Sequence, residues 1–218
     1  MRILIGSNNQ HKVGEMSAIL RSIFSEELSV QLPRDLPTFP TDIDECGDTL
    51  EANAMIKALE MYEATAQPCL ADDTGLEVAA LNGRPGVFSA RFAGEDATDA
   101  DNRALLLREL RGMDDRTAQF RTVICFYDGF RPIFAEGVCA GRILDEERGE
   151  GGFGYDPVFM PDGDTRSFAE MPAAEKNAIS HRGRALQQMA RMLETLRDER
   201  MPARGLVEAM EEISAPRR

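Results

Sequence analysis

Asp72 and Asp73 stand side by side in the segment Ala71-Asp72-Asp73-Thr74-Gly75. Adjacent hard carboxylate oxygens suit Mg2+, which commonly shares its shell with substrate phosphates. One carboxylate could instead orient or deprotonate a water. By itself such a pair also serves as a solvated turn. Asp42-Ile43-Asp44-Glu45 could add a further metal carboxylate, or be an ordinary surface charge run.

A second kind of chemistry is suggested by Ser7-Asn8-Asn9-Gln10-His11-Lys12, which joins a predicted strand to a predicted helix. Backbone N–H groups and the positive helix end can hold a phosphate at such a turn. Ser7 and Asn9 add donors, and Lys12 adds a point charge. The segment lacks the G-x-x-x-x-G-K-[ST] pattern of a Walker loop. Ser and Asn are equally ordinary helix caps.

A third segment, Gly151-Gly152-Phe153-Gly154-Tyr155-Asp156-Pro157, allows close backbone approach to a ligand. Phe153 and Tyr155 offer stacking faces, and Asp156 can accept hydrogen bonds from a base or ribose. A glycine-rich hairpin with packed aromatics is the structural alternative. Finally, Lys176-Asn177-Ala178-Ile179-Ser180-His181-Arg182-Gly183-Arg184 gathers cations near a predicted helix start. Cations there oppose the helix dipole, so either an anion compensates or the side chains point elsewhere. Arg182 could donate two hydrogen bonds to O6 and N7 of a 6-oxopurine.

The elements that must position these residues are readable in outline. Arg2–Gly6 reads as a short buried strand, and Gln10–Phe24 as a helix with Val13, Met16, Ile19, Leu20 and Ile23 on one face. Residues 33–47 read as an extended connection. Asp48-Thr49-Leu50-Glu51 resembles a capping box opening a helix to about residue 65. Cys69–Ala71 is expected as a strand that delivers Asp72 and Asp73 to its end. Residues 82–94 read as an ordered loop, and Thr98 as the cap of a helix to about Arg111. Ala118–Tyr127 and Arg131–Ile143 alternate as strands, with a hairpin signal at Asp128-Gly129. A short strand is expected at Pro157–Met160. Ser180 could cap a last helix to about Asp198, burying Ala185, Leu186, Met189, Leu193 and Leu196. This order predicts an α/β domain with a mixed sheet.

The 218 residues suit one domain, bilobal at most. Hydrophobic residues at 43% and charged residues at 29% fit a globular chain. The net charge of −13 argues against non-specific binding to nucleic acid or an anionic membrane. No apolar run approaches a membrane span, and the first residues are too short for a signal sequence. Cys46, Cys69, Cys125 and Cys139 show no C-x-x-C spacing. They read as free thiols of a reducing cytoplasm, and with only His11 and His181 a His-rich metal site is excluded.

Taken in order, the segments resemble the Ham1-type inosine/xanthosine triphosphate pyrophosphatases, which act on non-canonical purine nucleotides. Ser7-x-Asn9-x-x-Lys12 matches T/S-x-N-x-x-K, and Asn53-Ala54 through Lys57-Ala58 matches N-A-x-x-K-A. Ala71–Leu76 matches A-D-D-S/T-G-L, and Pro85–Arg91 matches P-G-x-x-S-A-R. Gly152–Pro157 and Ser180-His181-Arg182 match G-F-G-Y-D-P and S-H-R. Ser7 and Thr74 replace the commoner Thr and Ser, and Cys46 follows Glu45 where Thr is usual.

The resemblance implies a central mixed β-sheet flanked by helices, with an active-site cleft between two lobes. Residues 1–198 would form the pyrophosphatase domain, and residues 199–218 a charged C-terminal extension. Ser7, Asn8, Asn9, Gln10, His11 and Lys12 would contact the triphosphate. Glu45 and Asp73 would hold Mg2+, and Asp73 would be the catalytic base. Lys57 would help neutralise phosphate charge; Thr74 and Lys176 would touch substrate. Phe153, Gly154, Tyr155 and Asp156, with His181 and Arg182, would form the base pocket. A cytoplasmic homodimer is implied, with purine nucleoside triphosphates as substrate and neither nucleic acid nor membrane as partner. Two other classes compete. One is a nucleotide-binding protein that has lost the chemistry. The other is a Maf-type pyrophosphatase, which would lack the G-F-G-Y-D-P and S-H-R segments.

Overall fold

The computed structural model describes residues 2–24, 29–36, 39–40 and 43–196. Asp42 and the proposed C-terminal extension lie outside them. A seven-stranded mixed sheet forms the centre, in the order β2-β1-β3-β5-β6-β7, with β4 pairing β3. The strands are β1 (Arg2–Ile5), β2 (Ser29–Gln31), β3 (Cys69–Val78), β4 (Pro85–Gly86), β5 (Thr117–Tyr127), β6 (Ile133–Ile143) and β7 (Phe159–Pro161). β1 pairs parallel with β2 and β3, and the remaining ladders are antiparallel. The helices are α1 (Gln10–Phe24), α2 (Leu50–Thr65), α3 (Asp99–Glu109) and α4 (Ala173–Ile179), followed by α5 at residues 181–196.

Strand alternation assigns the helices to faces. Ala71, Val123 and Cys125 pack against Leu50, Ala54 and Ala58 of α2. On the other face, Leu70, Ile124 and Phe126 pack with Val13, Met16, Ile19 and Leu20 of α1 and with Ala185, Leu186, Met189 and Leu193 of α5. The expected stripes of both helices are therefore buried, with Ile23 and Leu196 partly so. A separate core gathers Leu76 and Val78 of β3, Leu106 and Leu110 at α3, and Tyr155, Phe159 and Phe168. These two cores at opposite ends of β3 are the two lobes of the domain.

Two expectations are corrected. First, β3 does not end at Ala71. It runs to Val78 because β5 pairs with it from Cys69↔Tyr127 to Val78↔Ala118. The acid pair therefore sits mid-strand, where a continuous ladder overrides the poor strand propensity of Asp. Second, the helix cap at Thr49 is simple: its side chain accepts from Ala52 N, while Glu51 turns to Arg121 instead of closing a box. The last helix starts at Ser180 as expected, and a short helix that the sequence reading did not assign precedes it. α4 carries Lys176, and Ser180 caps α5 by accepting from Gly183 N at 3.1 Å. Seven residues are too few for a periodic pattern to reveal α4. The hairpin turn at Asp128-Gly129 and the Thr98 cap of α3 are present, the latter as a full capping box with Asp101.

Candidate active site

The sheet forks beside the acid pair. β1 accompanies β3 only as far as Leu70, and β4 joins the same edge only at Leu76. Leu70 O accepts from Gly6 N, and Leu76 N donates to Ser89 Oγ, so even-numbered backbone groups face this edge. By alternation, the polar backbone of Asp72 and Thr74 opens into the fork. A cleft of about 700 Å3 lies here, within the usual size of a small-molecule site.

Side-chain alternation then sends Asp72 and Asp73 to opposite faces. Asp73 meets α2: its Oδ1 accepts from Lys57 Nζ at 3.0 Å and its Oδ2 from Asn53 Nδ2 at 3.3 Å. Lys57 Nζ also reaches Glu45 Oε2 at 2.7 Å. Asn53 Oδ1 accepts from Gly47 N, and Arg91 reaches the Glu45 backbone carbonyl, so the chain around Glu45 is tied to α2 and the β4 loop. Burial raises the pKa of Asp73 against the pull of Lys57 and Lys12, and nearby Glu45 adds to the rise. Burial would lower Lys57, but Asp73, Glu45 and Asp72 together raise it.

Asp72 meets α1 and α5. Its Oδ2 accepts from Arg182 Nη2 at 3.1 Å and Nε at 3.3 Å, and Lys12 Nζ lies 3.4 Å away. Burial would raise this carboxyl, yet Lys12, Arg182 and Lys57 hold it well below the carboxylate range. Burial depresses Lys12 despite the attraction of Asp72. Arg182 is further bound to Glu15 and, at 3.3 Å, to Thr74 Oγ1. These contacts occupy Nε and Nη2 and one N–H of Nη1. One N–H of Nη1 is left for a ligand, so the expected two-bond reading of a purine by Arg182 narrows to one.

The other end of the cleft is aromatic. Phe153 lies against Lys176 Nζ, 5.1 Å from the ring centroid, and against Arg182 at 5.7 Å. Lys176 Nζ also bonds Asp156 Oδ2 at 2.5 Å and Glu15 Oε1 at 2.8 Å. Lys176 therefore belongs to the aromatic end of the cleft. Burial raises Asp156 in spite of Lys176. His181 stacks on Phe120 at 4.5 Å, beneath the cleft. Burial first, then Arg182 and Lys176, hold its pKa well below the ordinary value, so the ring is neutral at pH 7. Its Nδ1 is buried without a protein partner. Gly137 of β6 lets α5 press against the sheet here, because a Cβ would overlap the His181 carbonyl.

The candidate residues among those described converge on this cleft, except that Gln10, His11 and Asp72 do not line it. His11 instead stacks on Phe153 at 5.1 Å, joining the first loop to the aromatic end. Asn9 Oδ1 accepts from His11 N and Lys12 N, so the ordinary cap and the cleft-lining role coexist in one residue. Tyr155 is a framework ring whose hydroxyl donates to Ser89 O at 2.9 Å. Sequence reading overlooked Glu15, whose signal was its i+3 spacing from Lys12 on one helix face. It also assigned nothing to Arg91 or Asp99, which line the cleft from distant segments.

Comparison with known proteins agrees with this geometry. The Ham1 family model matches residues 3–192. The chain belongs to the Ham1 family. Among family relatives, the dITP/XTP pyrophosphatase of Flavobacterium johnsoniae is 42% identical over 88% of this chain and 98% of its own length. That of Desulforamulus reducens is 45% identical over 90% and 97%. The solved Ham1 protein of Coxiella burnetii superposes with a TM-score of 0.79 at 42% identity, covering 89% of this chain and 99% of that one. Shared family membership thus extends across both lobes and the fork between them.

Proposed function

We propose that this chain hydrolyses non-canonical purine nucleoside triphosphates, ITP, dITP, XTP and dXTP, to the monophosphate and pyrophosphate. The observation that carries this reading is the single cleft with two chemically distinct ends. One end holds Asp73, Glu45, Lys57 and Lys12; the other holds Phe153, His181 and Arg182. The names of the curated relatives point the same way.

Mg2+ fits the first end. Glu45 and Asp73 already converge on one cation, the Lys57 ammonium. Among the described residues no larger cluster of His, Cys, Asp or Glu forms a metal cage. Few carboxylates plus substrate phosphates are the usual setting for Mg2+. Glu45 and Asp73 would hold the ion, which supplies countercharge to the triphosphate when bound.

Water attacks the α-phosphorus, the bond to the α,β-bridging oxygen breaks, and pyrophosphate leaves. Asp73 takes the proton of the attacking water; it is the more basic of the adjacent acids because burial raises it while Lys12, Arg182 and Lys57 hold Asp72 down. Such transfer is mostly positioning and charge stabilisation, which Lys12 and Lys57 supply. At the base end, Phe153 stacks on the purine. The neutral His181 and the remaining Arg182 N–H serve a 6-oxo group. The amino group of adenine would leave these donors unpaired, a large penalty in a site built to hydrogen-bond. The same reading makes the enzyme a cytoplasmic homodimer that cleanses the nucleotide pool. No described helix is long and apolar enough to cross a membrane.

Product analysis tests the proposal. With Mg2+, dITP and XTP should yield monophosphate and pyrophosphate far faster than GTP or ATP do, and EDTA should stop the reaction. Orthophosphate with diphosphate would place attack at the γ-phosphate and overturn the assignment. Absence of turnover would leave a nucleotide-binding protein.

A further inference from the structure

The loop that carries Phe153 is held only partly by its own contacts, Asp156 N donating to Phe153 O at 3.1 Å. Gly152 and Gly154 take left-handed φ values of +70° and +58°, and no strand or α-helix spans residues 150–155. The rest of its support comes from outside, and the most distant part of that from α3. Asp99 Oδ2 accepts from Gly154 N at 2.8 Å, and Arg103 Nη1 donates to Gly154 O at 2.8 Å. One turn of α3 therefore grips a single residue from both its N–H and its C=O. Arg103 is itself braced by Glu147 Oε1 at 3.0 Å. The preceding N–H, that of Phe153, goes to Asp156 Oδ2 at 2.9 Å. Consecutive backbone donors on either side of the Phe153 carbonyl are thus both held by carboxylates, one local and one from α3.

We propose that Asp99 and Arg103 are positioning residues for base recognition: together they clamp Gly154 and thereby aim the Phe153 ring at the purine. This rests on reading the cleft as a purine nucleotide site. The clamp acts on the base end alone. Its residues bond neither Asp73 nor Lys57, whose contacts come from α2 and the Glu45 segment. Losing it should weaken recognition of a base while leaving recognition of phosphates as it was. Charge-assisted hydrogen bonds to a backbone group are strong enough for such an effect to be measurable.

The test pairs a substrate with a base against a ligand without one. In Arg103→Ala, KM for dITP should rise about tenfold, the scale of one charged hydrogen bond, with a smaller change in kcat. Asp99→Ala should raise it about threefold, as expected for a more exposed contact. Inhibition by inorganic tripolyphosphate should keep its wild-type strength in both. Asp99→Asn retains an oxygen acceptor and should recover most of the wild-type KM. Asp99 is exposed, so its variants keep the test decisive if Arg103→Ala folds poorly. An unchanged dITP KM in both alanine variants, or a parallel loss of tripolyphosphate inhibition, would overturn the clamp. Calorimetric binding of inosine monophosphate to wild type and Arg103→Ala gives the same contrast without turnover. Weaker binding in the variant of a protein that fails to hydrolyse dITP would sink the proposed reaction and keep the clamp.

Discussion

Asp72 and Asp73 are neighbours in the chain, both carboxylates and both buried, at 1% and 6% exposure. Their surroundings differ completely. Asp72 lies beneath Arg182 and Lys12, is held ionised, and does not line the cleft. Asp73 opens on the cleft beside Lys57 and Glu45, with its pKa raised by burial. A strand needs only one residue step to exchange one face for the other. That step separates a carboxylate that anchors cations from one suited to accepting a proton. Environments that push apart the pKa values of like groups are how one site assigns them separate roles.

The largest expected effect comes from Asp73→Asn. Removing the proposed general base should lower kcat by roughly 10²–10⁴-fold while thermal unfolding stays near wild type. Substantial wild-type turnover in that variant would erase the distinction between the two acids.

Asp72→Ala should show the converse pattern. It strips a buried partner from Arg182 and Lys12, and breaking such a pair costs about 3 kcal/mol or more of unfolding free energy. Chemical denaturation measures this. A stability loss below that of Asp73→Asn would show that Asp72 is not the anchor.

The smallest effect sharpens the Asp72 face by titration. His181 has its folded pKa depressed, so its contribution to stability is complete above about 6.5, the unfolded value. As pH falls below that value, the unfolded chain binds a proton that the folded chain refuses. Stability should then drop by up to about 1.4 kcal/mol per pH unit from this group. His181→Phe keeps a ring against Phe120 and should remove this component from the slope of unfolding free energy between pH 6.5 and 5.

Much of the site was legible because its carriers sit in local motifs. Ser7–Lys12 joins a strand to a helix, and the glycine-rich segment stands beside Phe153, Tyr155 and Asp156 as the residue types suggest. The stripes of α1 and α5 were legible for the same reason, since their periods are set within a few turns. The length of β3 was not. Three of the four residues in Asp-Asp-Thr-Gly disfavour a strand; the β5 ladder imposes it. Arg182 was read as a donor to a purine from its type alone, whereas most of its donors are consumed by Asp72, Glu15 and Thr74.

The sequence by itself determined the chemical inventory: the acids, the lysines, the aromatic and glycine-rich segment, and the longer helices and strands around them. Those follow from residue types and short spacings. The tertiary structure decided how the inventory is divided. The opposite faces of Asp72 and Asp73 require β3 to run unbroken past them. The grip of Asp99 and Arg103 on Gly154 joins residues more than fifty positions apart. Contacts at that separation arise only when packing brings distant elements together, and no local pattern encodes them.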